Sequence, residues 1–151
     1  MTDPPRVFLD TDVILDFVLR REPFFRPAAR LFQWGMERRV LLQASAGSLK
    51  DVLYFARKAT AAEKAGNERR GREAVRILLQ VVEVCALDRL MWEEALTSPV
   101  RDTEDALQIA CAGRHHADFL VTRNARDYAG AVFPQVIQPE LLLAILAAGR
   151  G

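Results

Sequence analysis

Short apolar runs that stop at polar residues alternate along this chain with stretches in which apolar side chains recur every three or four positions. The first run, Arg6 to Leu9, ends at Asp10 and reads as a buried strand. Asp12 to Arg20 follows with helical spacing, Val13, Leu15, Phe17 and Leu19 being interleaved with polar residues. A second helix is predicted over Phe24 to Arg39, where Phe25, Ala28, Leu31, Phe32 and Met36 approach a 3.6-residue repeat. Pro23 and Pro27 sit where the start of a helix tolerates proline. Val40 to Ala44 reads as the second strand, and Ser45 as the N-cap of a helix reaching about Ala59. From Thr60 to Gly71 the chain is polar and predicts a helix end, a loop and a new start. Arg72 to Gln80 is helical and Val81 to Leu87 a third strand. Asp88 or Arg89 opens a helix that ends near Ser98–Pro99. Asp102 or Thr103 caps another that runs through His115. Phe119 to Thr122 is a strand, followed by a turn and a short helix. Val136–Ile137 is a small last strand before a helix over Pro139 to Ala148.

Strands separated by helices require crossover connections, so the pattern predicts an α/β fold with a mainly parallel sheet. With 151 residues, no internal repeat and no linker, residues 1–151 are expected to form one domain. The 21 basic and 20 acidic residues leave a net charge of +1, which excludes nucleic-acid binding by bulk positive charge and leaves a local patch or bound metal. Cys85 and Cys111 stand in apolar stretches without a CxxC motif and read as buried free thiols. The opening MTDPPRVFLD has no signal-peptide pattern, and no apolar stretch has the roughly 18 residues of a membrane span, so a cytoplasmic protein is expected.

Sites in parallel α/β sheets form beyond the carboxyl ends of the strands. Asp10 follows the first strand directly, Asp105 lies in the first turn of its helix, and Asn124 and Asp127 follow FLVT. Asp51 interrupts the apolar segment LKDVLYF, with Gly47 one turn earlier at a helix-interior cost of roughly 1 kcal/mol relative to Ala. Carboxylates brought together repel unless a cation neutralises them, and hard oxygen ligands suit Mg²⁺ or Mn²⁺. Taken singly, Asp102 and Asp105 also fit helix caps, Asp10 a turn residue and Asp127 a solvated loop charge. Thr11 and Thr122 either bond the carboxylates or are satisfied by backbone.

In order, these segments resemble the PIN domain over nearly the whole chain. FLDTDVILD looks like that family's opening strand and motif, SAGSLKDVLYFARK its second, DTEDALQIACA its third, and FLVTRNARDY its closing strand and loop. The resemblance implies a Rossmann-like three-layer sandwich and a Mg²⁺- or Mn²⁺-dependent ribonuclease. Asp10, Asp51 and Asp105 would be the catalytic, metal-holding acids, with Asp127 as a further ligand. Thr11, Asp12, Asp102, Glu104, Thr122 and Asn124 would support them. Many bacterial members are VapC-type toxins, commonly dimeric and held by an antitoxin, so RNA, an antitoxin protein and a second copy are the implied partners. The chain departs from the family pattern in three places. Asp12 stands where Asn is frequent, Asp51 where the toxins usually have Glu, and Asn124 where Asp is common. Asp127 is the substitute that the closing motif offers.

Arg123 and Arg126 flank the expected site and are candidates for phosphate contact. The run Arg57, Lys58, Lys64, Arg69, Arg70, Arg72 and Arg76 reads first as a solvated helix face. His115 and His116 lie about 100° apart on a helix and are not expected to share a metal. Trp34, Tyr54, Phe55 and Trp92 are expected to be core or interface aromatics. One rival reading takes FLDTDV as the DxDx(T/V) strand of a haloacid-dehalogenase-like phosphatase, with Asp10 as nucleophile and Asp12 as acid/base. Lys50 or Lys58 would serve it, but its GDxxxD motif is missing. The other rival is a PIN scaffold that binds RNA or a protein without cutting.

Overall fold

The computed structural model describes residues 2–58 and 64–149. Its element order is β1 (Arg6–Leu9), α1 (Thr11–Val18), α2 (Phe25–Met36), β2 (Leu41–Ser45), α3 (Ala46–Lys58), α4 (Lys64–Val81), β3 (Val82–Cys85), α5 (Arg89–Leu96), α6 (Thr103–Arg114), β4 (Phe119–Val121), a 3₁₀ turn over Ala125–Tyr128, β5 (Gln135–Ile137) and α7 (Pro139–Ala148). The five strands form one parallel sheet in the order β3-β2-β1-β4-β5.

Alternation along β1 explains the three layers. Val7 and Leu9 face a core that α1, α2, α3, α4 and α7 cover, whereas Phe8 faces a second core built with α5, α6 and Tyr128. Strands buried on both faces read as continuous apolar runs, which is why the sequence marks them clearly. Cys85 and Cys111 are buried free thiols in the second core, as expected.

Helix α2 ends at Met36 rather than Arg39 and β3 at Cys85 rather than Leu87, and the largest correction is at α4. The helix predicted to start at Arg72 begins at Lys64, so residues 64–71 are helical; the predicted loop at 60–63 lies outside the described residues. The buried face of α4 is made of Gly71, Ala74 and Leu78, and small residues leave little apolar periodicity to read. A Cβ on Gly71 would stand 2.8 Å from Leu53 Cδ1 and 3.1 Å from Arg57 Cγ, so glycine permits the close packing of α4 on α3. The charged residues nearby behave as a solvated face: Glu68 pairs with Arg57 and Arg72, and Glu73 with Arg76.

Candidate active site

Strand order reverses direction between β1 and β4, and the crevice at such a switch point is where α/β sheets place their sites. Asp10 leaves the end of β1 in extended conformation and caps α1, accepting from the Thr11 amide at 2.8 Å. Thr122, just past β4, donates its hydroxyl to the other carboxylate oxygen at 2.8 Å. Gln108 on α6 reaches Asp10, Thr11 and Ser48 at 3.4, 3.4 and 3.2 Å. The Thr11 and Ser48 hydroxyls are 2.7 Å apart, and the Ser48 amide donates to Ser45 Oγ at 3.1 Å, so Ser45 caps α3 as the sequence suggests. A buried polar network thus fixes Asp10 from both sides of the crevice.

Asp105 enters from the first turn of α6, which Asp102 caps by accepting from the Asp105 amide at 3.0 Å. Burial, and then the charges of Asp10, Asp102 and Asp127, push its carboxyl up to about 6. Asp10 is also raised, by burial foremost, against the hydrogen bonds from Thr122, Gln108 and Thr11. Beneath them lies Tyr128, whose phenol is raised by burial and then by Asp10 and Asp105. Its hydroxyl is close enough to feel both carboxylates but lacks the alignment of a hydrogen bond.

A cleft of about 530 Å³ opens above this network. Asp10, Asp51, Asp105, Asp127, Thr11, Asp12, Glu104 and Asn124 all contribute to its lining. Asp51 stands on the exposed wall formed by α3, whereas Asp10, Asp102 and Asp127 are the carboxylates whose charge raises Asp105. Gly47 lies where a Cβ would meet Leu87 Cδ1 at 3.2 Å, which accounts for a glycine at this cleft wall. Oxygen donors from four carboxylates, with open volume between them, fit a hard dication that keeps several waters.

Other expected residues have different surroundings. Thr122 and Asp102 act behind the cleft as hydrogen-bonding supports. Arg123 lies over the Phe24 ring at 4.1 Å, and its Nε is 2.9 Å from the buried Asp16 without the alignment of a hydrogen bond. Asp12 lies 3.8 Å from both Arg21 and Arg123, while Arg126 is exposed. Of the aromatics, Trp34 is core, whereas Phe55 and Trp92 are half-exposed and line the cleft. Sequence reasoning missed Gln108, Ser48, Asp16, Tyr128 and Arg21, and placed Lys50 only in the rival phosphatase reading. For two of these a signal existed, since Ser48 and Gln108 each sit three residues from a cleft acid on the same helix face.

The PIN-domain family model matches residues 6–126. No curated protein matches the sequence at a significant level. Among solved structures, the fold is shared with a toxin–antitoxin complex from Klebsiella pneumoniae, at 23% identity and a TM-score of 0.63 over 88% of this chain and 97% of that one. It is also shared with VapBC2 from Rickettsia felis bound to a promoter DNA fragment, at 15% identity and a TM-score of 0.59 over 88% and 98%. VapC20 from Mycobacterium tuberculosis, a sarcin–ricin-loop-cleaving toxin, matches at 17% identity and a TM-score of 0.57 over 76% and 86%. With its parallel sheet, its acids at the strand ends and the family match across most of its length, this chain belongs to the PIN-domain family.

Proposed function

We propose that this protein is a Mg²⁺- or Mn²⁺-dependent endoribonuclease that works as a toxin under the control of an antitoxin. The observation carrying this reading is that Asp10, Asp51, Asp105 and Asp127, scattered through the sequence, line one cleft at the sheet's switch point. Neighbours of the same fold include toxin–antitoxin complexes and an RNA-cleaving toxin, which supports the same direction. The phosphatase reading falls with the family assignment. We further infer one domain over residues 1–151, acting in the cytoplasm as a homodimer.

Asp10, Asp105 and Asp127 would hold the metal, with Asp51 reaching it from the α3 wall. When bound, the dication supplies Lewis acidity toward a phosphodiester and acidifies a water nucleophile. The chain's own part is positional. Thr122, Gln108 and the Thr11 amide hold the Asp10 carboxylate in one orientation. Arg21 and Lys50, both on the cleft lining, place positive charge where the RNA backbone enters, and exposed Arg126 extends that grip. Hydrolysis by water leaves a 5′-phosphate and a 3′-hydroxyl.

Purified protein incubated with mixed structured RNAs and Mn²⁺ tests this. Asp10→Asn and Asp105→Asn are expected to lose more activity than the roughly 10–100-fold typical of an outer-shell partner, with circular dichroism unchanged. Full cleavage by either folded variant overturns the site. A second reading, a scaffold that binds without cutting, is favoured by the exposed position of the short Asp51 side chain. It predicts RNA binding with no cleavage in the wild type.

A further inference from the structure

A second cluster of ligating side chains lies apart from the acidic cleft, on the face of β3 that packs against α6. Glu83 and Cys85, two positions apart on this edge strand, point to the same face. His115 closes α6 above them, and one ligand atom from each of Glu83, Cys85 and His115 lies within 4.8 Å of the other two. This is the tight group of three such ligands among the described residues, and the cleft carboxylates do not form one.

The surroundings are organised as a ligand site requires. His115 Nε2 is 3.1 Å from the Ala86 carbonyl oxygen, a contact that places the ring proton on Nε2 and leaves the Nδ1 lone pair free. A backbone carbonyl accepting from one ring nitrogen is the usual way a metal-bound imidazole is oriented. The backbone of His115 is itself fixed, because the side chain of buried Gln43 donates to its carbonyl oxygen at 3.0 Å. Cys85 is fully buried, so its thiol sits in a rigid wall, while Glu83 is exposed and free to swing inward. Cys111, on α6 one turn before His115, is a buried thiol of the same core and approaches the Ala86 carbonyl at 3.8 Å, while the Cys85 thiol approaches the Glu83 carbonyl at 3.9 Å.

We propose that Glu83, Cys85 and His115 form a binding site for a thiophilic divalent cation of the Zn²⁺ class, tying the edge strand β3 to the end of α6. A mixed sulfur, nitrogen and oxygen set favours Zn²⁺ over the Mg²⁺ or Mn²⁺ suited to the cleft. Bond lengths of about 2.0–2.3 Å put tetrahedral ligands about 3.5 Å apart, so ligand atoms that lie within 4.8 Å of one another draw in toward that spacing on binding. Rotation of the exposed Glu83 side chain contributes that movement. The site's consequence is mechanical, since α6 carries Asp105 and Gln108 in its first two turns.

Co²⁺ titration of reduced protein in excess Mg²⁺ tests the proposal, because only a cysteine ligand gives an intense thiolate-to-cobalt charge-transfer band. The band is expected at one equivalent, to be displaced by Zn²⁺, to be lost in Cys85→Ser and to survive in Asp10→Asn. Since Cys85 is buried and its variant risks misfolding, Glu83→Gln and His115→Gln provide a second arm at more accessible positions. Each is expected to weaken Zn²⁺ binding by on the order of tenfold or more while leaving circular dichroism unchanged. Absence of the band in the wild type, its survival in Cys85→Ser, or Zn²⁺ affinity unchanged in both surface variants overturns the proposal.

Discussion

Asp10 can act as a fixed point because its neighbours have no freedom to release it. Gln108 is 9% exposed and contacts Asp10, Thr11 and Ser48 together, so its amide is the hub of the network under the cleft. Gln108→Leu keeps the volume and removes the donor. It is expected to cost about 1–3 kcal/mol through the unsatisfied groups left behind, read by urea denaturation. Mn²⁺ affinity should fall about 10–100-fold, as for other outer-shell partners, read by calorimetry; unchanged values in both would show that the amide is idle. Asp51 poses the opposite case, being on an exposed wall and one methylene shorter than the Glu usual in the toxins. Asp51→Glu is expected to bind Mn²⁺ more tightly and cleave RNA faster, and a weaker, slower variant would remove Asp51 from the metal set. The acids were legible in the sequence because charge at the end of an apolar strand has few structural uses. Gln108 and Ser48 left only the weak signal of their three-residue spacing from Asp105 and Asp51, because an uncharged polar residue inside a helix ordinarily faces solvent. Nothing in the sequence says that these two meet across the sheet.

At the scale of elements, the strands declared themselves by apolar runs buried on both faces, and β1, β2 and β4 fall within one residue of their expected bounds. Helix α4 was harder to read, because a helix whose buried face is Gly71, Ala74 and Leu78 shows little apolar periodicity. Glycines in helices therefore carry opposite meanings here. At Gly35 a Cβ would stand 2.6 Å from Leu42 Cδ1, 2.9 Å from Leu42 Cγ and 3.0 Å from Val81 Cγ1, and Leu42 is itself buried. Gly113 meets nothing within 4 Å. Gly35→Ala is accordingly expected to destabilise by about 1–3 kcal/mol through overpacking. Gly113→Ala should stabilise by up to about 1 kcal/mol through backbone entropy. Paired chemical denaturation checks the two signs, and a stabilised Gly35→Ala would mean that α2 and β2 are packed less closely than they stand here.

For the whole molecule, the acidic cleft is expected to make stability depend on pH, in a direction that a bound dication would reverse. The Asp105 carboxyl is pushed up to about 6, and Asp10 is raised as well, so the folded protein holds these protons more tightly than the unfolded chain does. Stability from such a group is fully present below its unfolded value, near 3.8, and is lost as pH rises through about 6. Metal-free protein should therefore lose stability between about pH 4 and 7 relative to Asp105→Asn, which cannot ionise there. Comparing the two proteins cancels the titration of groups they share. Bound dication demands the ionised carboxylates, so saturating Mn²⁺ should turn the slope over, with the stabilisation by metal growing as pH rises. Melting curves of both proteins with EDTA and with Mn²⁺ check this. Parallel pH profiles for the wild type and Asp105→Asn without metal would mean that neither burial nor the neighbouring carboxylates raise Asp105, and with that the physical reason for a cation at this place would be gone.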